Sequence, residues 1–282
     1  MSDIIDAVIK TRKISAEIAA QSLLNVDNAS EVEIHRLILS KMSTCDDIFP
    51  EGWYAPPPGG ASVLFDQAPF ERLLYDSLRN PKYAPSDLNN FKKETVGGIY
   101  FSPVNKTTNT LADIGFTIYR GENEEIKRHL KKSYDVIHAI AERVQVGTKL
   151  SDLCTFAVDL FTSNGLKPSK RFIINSDPNQ SLNLGHSVPG SLENELISGS
   201  TFDEIKENIK IKRVHFIDNN NFEIPETCAF TVESRLESST NPSMPSASWH
   251  FMVCFDKGKK TIIAGFEEIF KTVEMDYMQT KR

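Results

Sequence analysis

The order of helical and extended patterns is the feature that most constrains the fold of this chain. Over residues 1–120, two helix-like segments precede the extended segments, and helices followed by strands recur over 121–282. Runs of helices alternating with runs of strands indicate an α+β protein. No linker-like stretch separates the halves. We therefore predict a single domain over residues 1–282, built as two similar halves with curved antiparallel sheet covered by helices.

Local patterns predict the individual elements. Apolar residues at helical spacing predict a helix over 3–24, and Ser30 with Glu33 forms a capping-box signature that starts a second helix through about Met42. The hydrophilic stretch 70–96 reads as a surface insertion. The remaining predictions are strands at 97–104 and 110–119, helices at 122–144 and 151–162, and strands at 171–175, 214–217, 228–236, 249–255 and 260–266.

Charge and apolar content exclude several classes of partner. With 32 basic and 38 acidic residues the net charge is -6, which disfavours binding to the phosphate backbone of nucleic acids. No apolar stretch is long enough to span a membrane. The amino-terminal residues lack the apolar core of a signal peptide, and the 4 cysteines are far apart in the sequence. We expect a cytoplasmic protein with reduced thiols.

Four ionisable residues stand in unusual surroundings. Asp113 in TLADIGF, Glu233 in CAFTVESRL and Glu267 in AGFEEIF are acids within strand-like apolar runs, and His186 lies in the turn segment GHSVPG. A buried carboxylate without a partner costs several kcal/mol or takes up a proton. Divalent cations bind carboxylate oxygens, and Zn or Mn also accepts an imidazole. Taken singly, each signal is weak, and the residues are better explained as a turn acid at Asp113, a loop histidine at His186 and edge-strand glutamates at Glu233 and Glu267.

Together, these segments resemble the pita-bread superfamily of methionine aminopeptidase, prolidase and creatinase over nearly the whole chain. LADIGFTIYRGENEEIKRHL is similar to the segment that carries the family's second metal aspartate. GHSVPG resembles its Gly-His motif, AFTVESRL its Thr-Ile-Glu motif and AGFEEIF its final glutamate motif. The resemblance implies a pita-bread fold and a divergent sequence.

The resemblance also implies a ligand set and a reaction. Asp113, His186, Glu233 and Glu267 would bind a divalent metal ion (Mn, Zn, Fe or Co), with Glu268 as the alternative to Glu267. Glu233 would in addition act as the acid or base for the metal-bound water. The implied reaction is hydrolysis of a peptide or amide bond, in which the metal lowers the pKa of water and polarises the carbonyl.

The sequence departs from the family at three positions. The first metal aspartate falls on Ser102 or Tyr100, so that the site would hold one ion or none. The family's second active-site histidine falls on Glu193 or Asn194, and its substrate-side histidine falls near WYAPPP. At the positions of these two histidines, we expect Asn194 and the pair Trp53 and Tyr54 to contact the substrate.

Three functions therefore remain open. We favour a metal-dependent hydrolase of the aminopeptidase or Xaa-Pro peptidase type. The alternative is a protein that keeps the fold and uses the cleft to bind a peptide or small molecule. Between them stands a metal-free, creatinase-like enzyme whose acids shuttle protons directly. The creatinase and prolidase relatives also imply a homodimer.

Overall fold

The computed structural model of the protein describes residues 2–169, 182–192, 195–218 and 220–279. Its architecture is the predicted mixture of helices and antiparallel strands. The helices are α1 (Ser2–Ser22), α2 (Glu31–Thr44), α3 (Glu124–Arg143), α4 (Leu150–Ser163), α5 (Phe202–Lys212) and α6 (Glu267–Thr272). The strands are β1 (Ala61–Asp66), β2 (Val96–Phe101), β3 (Ile114–Tyr119), β4 (Leu166–Pro168), β5 (Asn183–His186), β6 (His215–Ile217), β7 (Cys228–Ser238), β8 (Ala247–Asp256) and β9 (Lys259–Ile263).

The described strands form three antiparallel sheets that meet around one region. The strand orders are β1-β2-β3, β4-β7-β8-β9 and β5-β6. The first two sheets meet where the Ser248 amide of β8 donates a 2.9 Å hydrogen bond to the Thr117 hydroxyl of β3. The third joins β7 through a bridge between Ser187 and Phe230. Strands from all three sheets therefore reach the same place.

In two of the predicted helices, the contacts explain why these residues form a helix. The Ser30 hydroxyl accepts a 3.2 Å hydrogen bond from the Glu33 amide, and the Glu33 carboxylate accepts one of 2.6 Å from the Ser30 amide, which confirms the capping box of α2. In α3 the residues at helical spacing, Ile126, Leu130 and Ile137, are buried and pack this helix against β7 and β8. No helix in the described ranges is long and apolar enough to cross a bilayer.

Strand β8 separates the core from the region where the sheets meet. Trp249 and Phe251 pack against Tyr134 of α3, and the Trp249 indole donates a 2.9 Å hydrogen bond to the Ser133 hydroxyl. Because side chains alternate along a strand, His250 points to the opposite face. Its partner in the β7–β8 register is Glu233, which also faces away from the helices.

The last strand is shorter than the apolar run in the sequence predicts. We predicted a strand over 260–266, but β9 ends at Ile263 and Gly265 has a φ of 73°, which ends the extended backbone. Glu267 and Glu268 then occupy the first turn of α6, where acids complement the amino-terminal end of a helix. Helix α5 was not predicted, and the strand predicted at 171–175 lies outside the described residues.

The hydrophilic stretch 70–96 is more than a surface insertion. Phe70, Leu73, Tyr83 and Phe91 are buried in the main core. The segment is also tied to the buried carboxylate of Glu31 in α2. That carboxylate accepts hydrogen bonds from the Phe65 and Ser86 amides, from the Asn89 side chain, and twice from Arg72. We call these five residues the Glu31 cluster. The division into halves at about residue 120 stays a prediction.

Candidate functional site

A cavity of about 450 Å³ opens where β2, β3, β7 and β8 meet. This volume suits a small molecule or a short peptide segment. Its apolar wall includes Leu64, Ile99 and Phe116. Its polar and aromatic lining includes Trp53, Tyr54, Tyr100, Asp113, His186, Arg213, Glu233 and His250.

Asp113 stands at the buried side of this pocket, directly before β3. Its Oδ1 accepts a 2.8 Å hydrogen bond from the Trp53 indole, and its Oδ2 accepts one of 3.0 Å from the Tyr100 hydroxyl. Burial, followed by the negative charge of Asp113, raises the pKa of Tyr100 well above its ordinary value, so the phenol keeps its proton and donates. Both carboxylate oxygens of Asp113 are thus already engaged by side chains of the protein.

His186 ends β5 beside Asp113. Its Nδ1 lies 2.9 Å from the Ser187 carbonyl oxygen, which only accepts, so Nδ1 carries a proton. Its Nε2 faces Asp113 Oδ2 at 3.6 Å, beyond normal hydrogen-bond length. The preceding Gly185 has a φ of 134°, and a Cβ there would lie 2.1 Å from the Thr231 carbonyl oxygen. Glycine therefore lets β5 approach β7 closely enough to bring His186 into the pocket.

Glu233 and His250 face each other across β7 and β8. His250 Nδ1 lies 2.9 Å from Glu233 Oε2. Burial raises the pKa of Glu233, but the charge and close contact of His250, with the charges of His186 and Arg213, outweigh it and lower the pKa to about 2. The carboxylate is therefore anionic at neutral pH.

Gly115 of β3 makes room for the ring of His250. A Cβ at this position would lie 2.6 Å from His250 Nε2 and 2.7 Å from its Cδ2. The same glycine pairs with Tyr100 in the β2–β3 register, and the Tyr100 and His250 rings are 5.6 Å apart. The orientation of His250 thus depends on a residue without a side chain on the neighbouring sheet.

Arg12 of α1 braces this pocket from behind. Its guanidinium is fully buried and donates to the backbone carbonyls of Asp113, His250 and Ala264, the last at 2.8 Å. Burial lowers the pKa of Arg12 to about 9, although the charges of Asp113 and Glu233 oppose the shift. One helix thereby fixes three separate segments behind the cavity.

Two arginines stack on the aromatic residues at the pocket. The guanidinium carbon of Arg213 lies 4.3 Å from the ring centroid of Trp53, and that of Arg79 lies 4.3 Å from the centroid of Tyr54. Burial lowers the pKa of Arg213, while the charge of Asp113 opposes this shift. Such stacking orients a guanidinium without using its hydrogen-bond donors.

The structure brings most of the sequence-predicted site residues together. Asp113, His186 and Glu233 line the pocket, and so do Trp53 and Tyr54. Asn194 lies outside the described residues.

The pocket does not include Glu267. Its side chain is exposed in the first turn of α6, and the alternative Glu268 is also exposed and lies 3.8 Å from Lys271. Of the two residues at the position of the family's first aspartate, Tyr100 faces Asp113, whereas Ser102 donates to the Gly60 carbonyl.

His250 and Arg213 are site residues that the sequence reasoning did not select. For His250 a signal exists, because its aromatic neighbours in WHFMVCF fill the core and alternation sends the histidine to the other face. For Arg213, between α5 and β6, no periodic pattern marks the position.

The residues present do not fit the metal centre that the resemblance implies. Among the described residues, no group of three or more His, Cys, Asp or Glu side chains is arranged to hold a metal ion. A divalent cation is held by several protein ligands that converge on one point. Here both oxygens of Asp113 accept from protein donors, Glu233 contacts His250, and the positive charge of Arg213 lies in the same cavity.

Neither a family model nor a curated protein sequence matches this chain. Solved structures do match it. X-Pro aminopeptidase from Thermotoga maritima superposes with a TM-score of 0.58 at 16% identity, covering 91% of this chain and 60% of the other. Methionine aminopeptidase from the same organism gives 0.58 at 12% identity, covering 89% and 93%. A variant of Escherichia coli aminopeptidase P gives 0.62 at 10% identity, covering 97% and 58%.

These similarities extend over nearly all of this chain, which spans about three fifths of the X-Pro aminopeptidase. At such low identities they establish the arrangement of helices and strands, whereas function depends on the residues of the site. The fold expected from the sequence motifs is confirmed. The chain therefore has the pita-bread fold of these peptidases.

Proposed function

We propose that this protein binds an amine-bearing small molecule, or the amino end of a peptide, in the pocket and does so without a divalent metal. The observation that carries the proposal is the anionic Glu233, held by His250 at 2.9 Å on the wall of an aromatic cavity. The open side of this carboxylate can pair with a singly charged ammonium group, and the protein groups around the acids leave little coordination for a metal ion.

An ammonium group fits the chemistry of this cavity. It would pair with the carboxylate of Glu233, and the negative charge of Asp113 adds to the attraction. The face of Tyr100 also favours a cation, whereas Trp53 and Tyr54 already stack on Arg213 and Arg79. Binding of an ammonium group by these charges requires no proton transfer and no bond cleavage. Recognition is therefore the function that the charges support best.

Metal-dependent hydrolysis is the second candidate. It is favoured by one observation, namely that Asp113, His186 and Glu233 line the same cavity in a fold shared with peptidases. In this candidate Glu233 would act as acid or base on a peptide or amide substrate. The ligand role of Glu267, the homodimer and the cytoplasmic location remain predictions from the sequence.

Metal binding distinguishes the two candidates. After incubation with Mn, Zn or Co and removal of free ions, we expect the wild type to retain less than about a tenth of an equivalent, because its carboxylates are engaged. The double variant Tyr100→Asp/His250→Glu supplies two further carboxylates facing the existing ones, and we expect it to retain more metal. A wild type that retains a full equivalent would contradict the proposal and support the hydrolase.

Amine recognition is tested in EDTA with a pool of random dipeptides. We expect this pool to raise the melting temperature of the wild type. The same pool, acetylated at its amino ends, should raise the melting temperature less. Glu233→Gln should remove this difference. Glu237→Gln, which changes an acid on the same strand that pairs with Lys167, is the matched control. If no pool stabilises the wild type, the binding proposal fails.

A further inference from the structure

Arg213 places a fixed positive charge in the pocket. It follows the last turn of α5, and the backbone amide of the next residue, Val214, donates a 3.0 Å hydrogen bond to the Ser187 hydroxyl. The guanidinium carbon lies 4.3 Å from the ring centroid of Trp53, whose indole donates to Asp113 at 2.8 Å. Backbone and side chain are both held, so the charge stays in the cavity.

The protein does not neutralise this charge by contact. Among the described residues, Arg213 forms no salt bridge with a carboxylate, and its Nε is buried without a hydrogen bond. Burial lowers the pKa of Arg213, and the charges of Asp113 and Glu233 in the same cavity oppose this shift. The two acids therefore act on the guanidinium across the cavity. Because a guanidinium keeps its proton in proteins, its charge is permanent.

Two further cations at the cavity have closer partners in the protein. Lys210 lies 3.4 Å from Glu207, and Arg79 donates to the Ala55 carbonyl at 3.1 Å. Arg213 is therefore the basic residue of the pocket whose charge is least compensated.

A fixed charge selects among ligands by their own charge. Coulomb energy is proportional to the product of two charges, so Arg213 opposes a doubly charged cation twice as strongly as a singly charged one at the same place. A second ammonium group also needs an acid of its own, because an ionic group without a partner is costly to remove from water. Both oxygens of Asp113 already accept hydrogen bonds, which leaves Glu233 as the acid with an open side.

We infer that Arg213 is a specificity-determining residue that restricts the pocket to ligands with a single positive charge, so that diamines and divalent metal ions are both excluded. This inference rests on the proposed function and adds to it a limit on the charge of the ligand. In a cavity of about 450 Å³, the second ammonium group of a short diamine held at Glu233 stays close to the guanidinium. Repulsion of this kind is a common source of specificity.

The test compares butylamine with putrescine, a diamine of the same carbon chain. Their amino groups are protonated at neutral pH, so the two probes differ by one charge. By equilibrium dialysis without added metal, we expect the wild type to bind butylamine about ten-fold or more tightly than putrescine. Arg213→Gln should bind the two amines with similar affinity. Arg213→Lys, which keeps the charge, should retain the preference.

The matched control is Arg36→Gln, which removes the same charge from an exposed position of α2 and should keep the wild-type preference. Circular dichroism checks that each variant is folded. Equal binding of the two amines by the wild type overturns the inference but leaves amine recognition intact. A preference that survives in Arg213→Gln, or that is lost in Arg213→Lys, also overturns it. Failure of both amines to bind the wild type counts against the proposed function itself, and metal binding then decides the role of Arg213.

The metal measurement does not depend on amine binding. Arg213→Gln is added to the double variant Tyr100→Asp/His250→Glu, and the dissociation constant for Mn is measured by dialysis with and without the added change. We expect the triple variant to bind Mn about ten-fold or more tightly than the double variant, because one repelling charge has been removed. Equal affinities in the two proteins overturn the inference.

Discussion

Two regions of this protein each hold a glutamate away from bulk water, one buried and one half-buried, and they treat it in opposite ways. In the Glu31 cluster, the carboxylate of Glu31 is fully buried and accepts five hydrogen bonds, two of them from Arg72. In the pocket, Glu233 has one close partner, His250, and the cavity lies in front of it.

The difference shows how to separate a structural charge from a functional one. A carboxylate whose hydrogen-bonding capacity is filled by the protein has nothing left to offer a ligand, and its role is to hold segments together. A buried carboxylate with unfilled capacity is costly to keep. In this chain the second kind lines a cavity, which fits a structural role for the Glu31 cluster and the proposed recognition role for the pocket.

The largest effect is expected from Glu31→Ala. Removing the carboxylate leaves Arg72 and two backbone amides without their partner, and loss of one member of a buried pair typically costs about 3–5 kcal/mol. Denaturant unfolding followed by fluorescence measures this loss. A change below about 1 kcal/mol would mean that the Glu31 cluster does not stabilise the fold, contrary to the role expected for it.

A smaller loss is expected from Gly115→Ala. The new methyl group would meet the His250 ring at 2.6 Å, and overpacking of this kind costs about 1–3 kcal/mol. Dipeptide binding should weaken as well, because His250 moves away from Glu233. The control is Gly98→Ala in β2, where the nearest atom is the end of the flexible Leu73 side chain at 3.2 Å. Similar losses for both variants would contradict a specific role for Gly115.

Glu233→Gln should cost less still at pH 7, about 1–2 kcal/mol, because the amide avoids the burial penalty while losing the charge pair. The pKa of Glu233 falls from its usual 4.5 to about 2 in the folded protein. Its stabilising contribution is therefore complete above pH 4.5 and disappears as the pH falls toward 2. Unfolding of wild type and variant across this range measures the difference, and a difference independent of pH would refute the charge pairing.

The smallest effect is expected from Glu267→Gln. The side chain is exposed at the start of α6, so stability should change by less than about 0.5 kcal/mol and dipeptide binding should be unaffected. The result bears on the pocket because the resemblance assigns this residue to the same site as Glu233. Loss of dipeptide binding in this variant would mean that Glu267 belongs to the site.

The sequence predicts those parts of the molecule in which local pattern and packing agree. The capping box of α2, the amphipathic face of α3 and the acids Asp113 and Glu233 within apolar strands are all readable from residue order. The strand over 260–266 was predicted too long because an apolar run looks the same in a strand as at a helix start, and Gly265 decides between them through its backbone conformation.

Other features depend on contacts between distant segments. Arg72 and Glu31 are far apart in the chain, and nothing in the hydrophilic stretch 70–96 indicates that it would surround a buried acid. The pairing of Glu233 with His250 follows from strand register, which periodicity alone does not fix. The stacking of Arg213 on Trp53 likewise requires the folded protein.

The buried guanidinium of Arg12 has a consequence for how the cavity comes into being. Since the walls at Asp113, His250 and Ala264 are joined through a side chain of α1, the sheets alone do not complete the cavity. Ligand affinity is therefore a reporter of whether the first helix has docked. We expect a partly unfolded chain that keeps its sheets but has lost the packing of this helix to have lost ligand binding in the cavity.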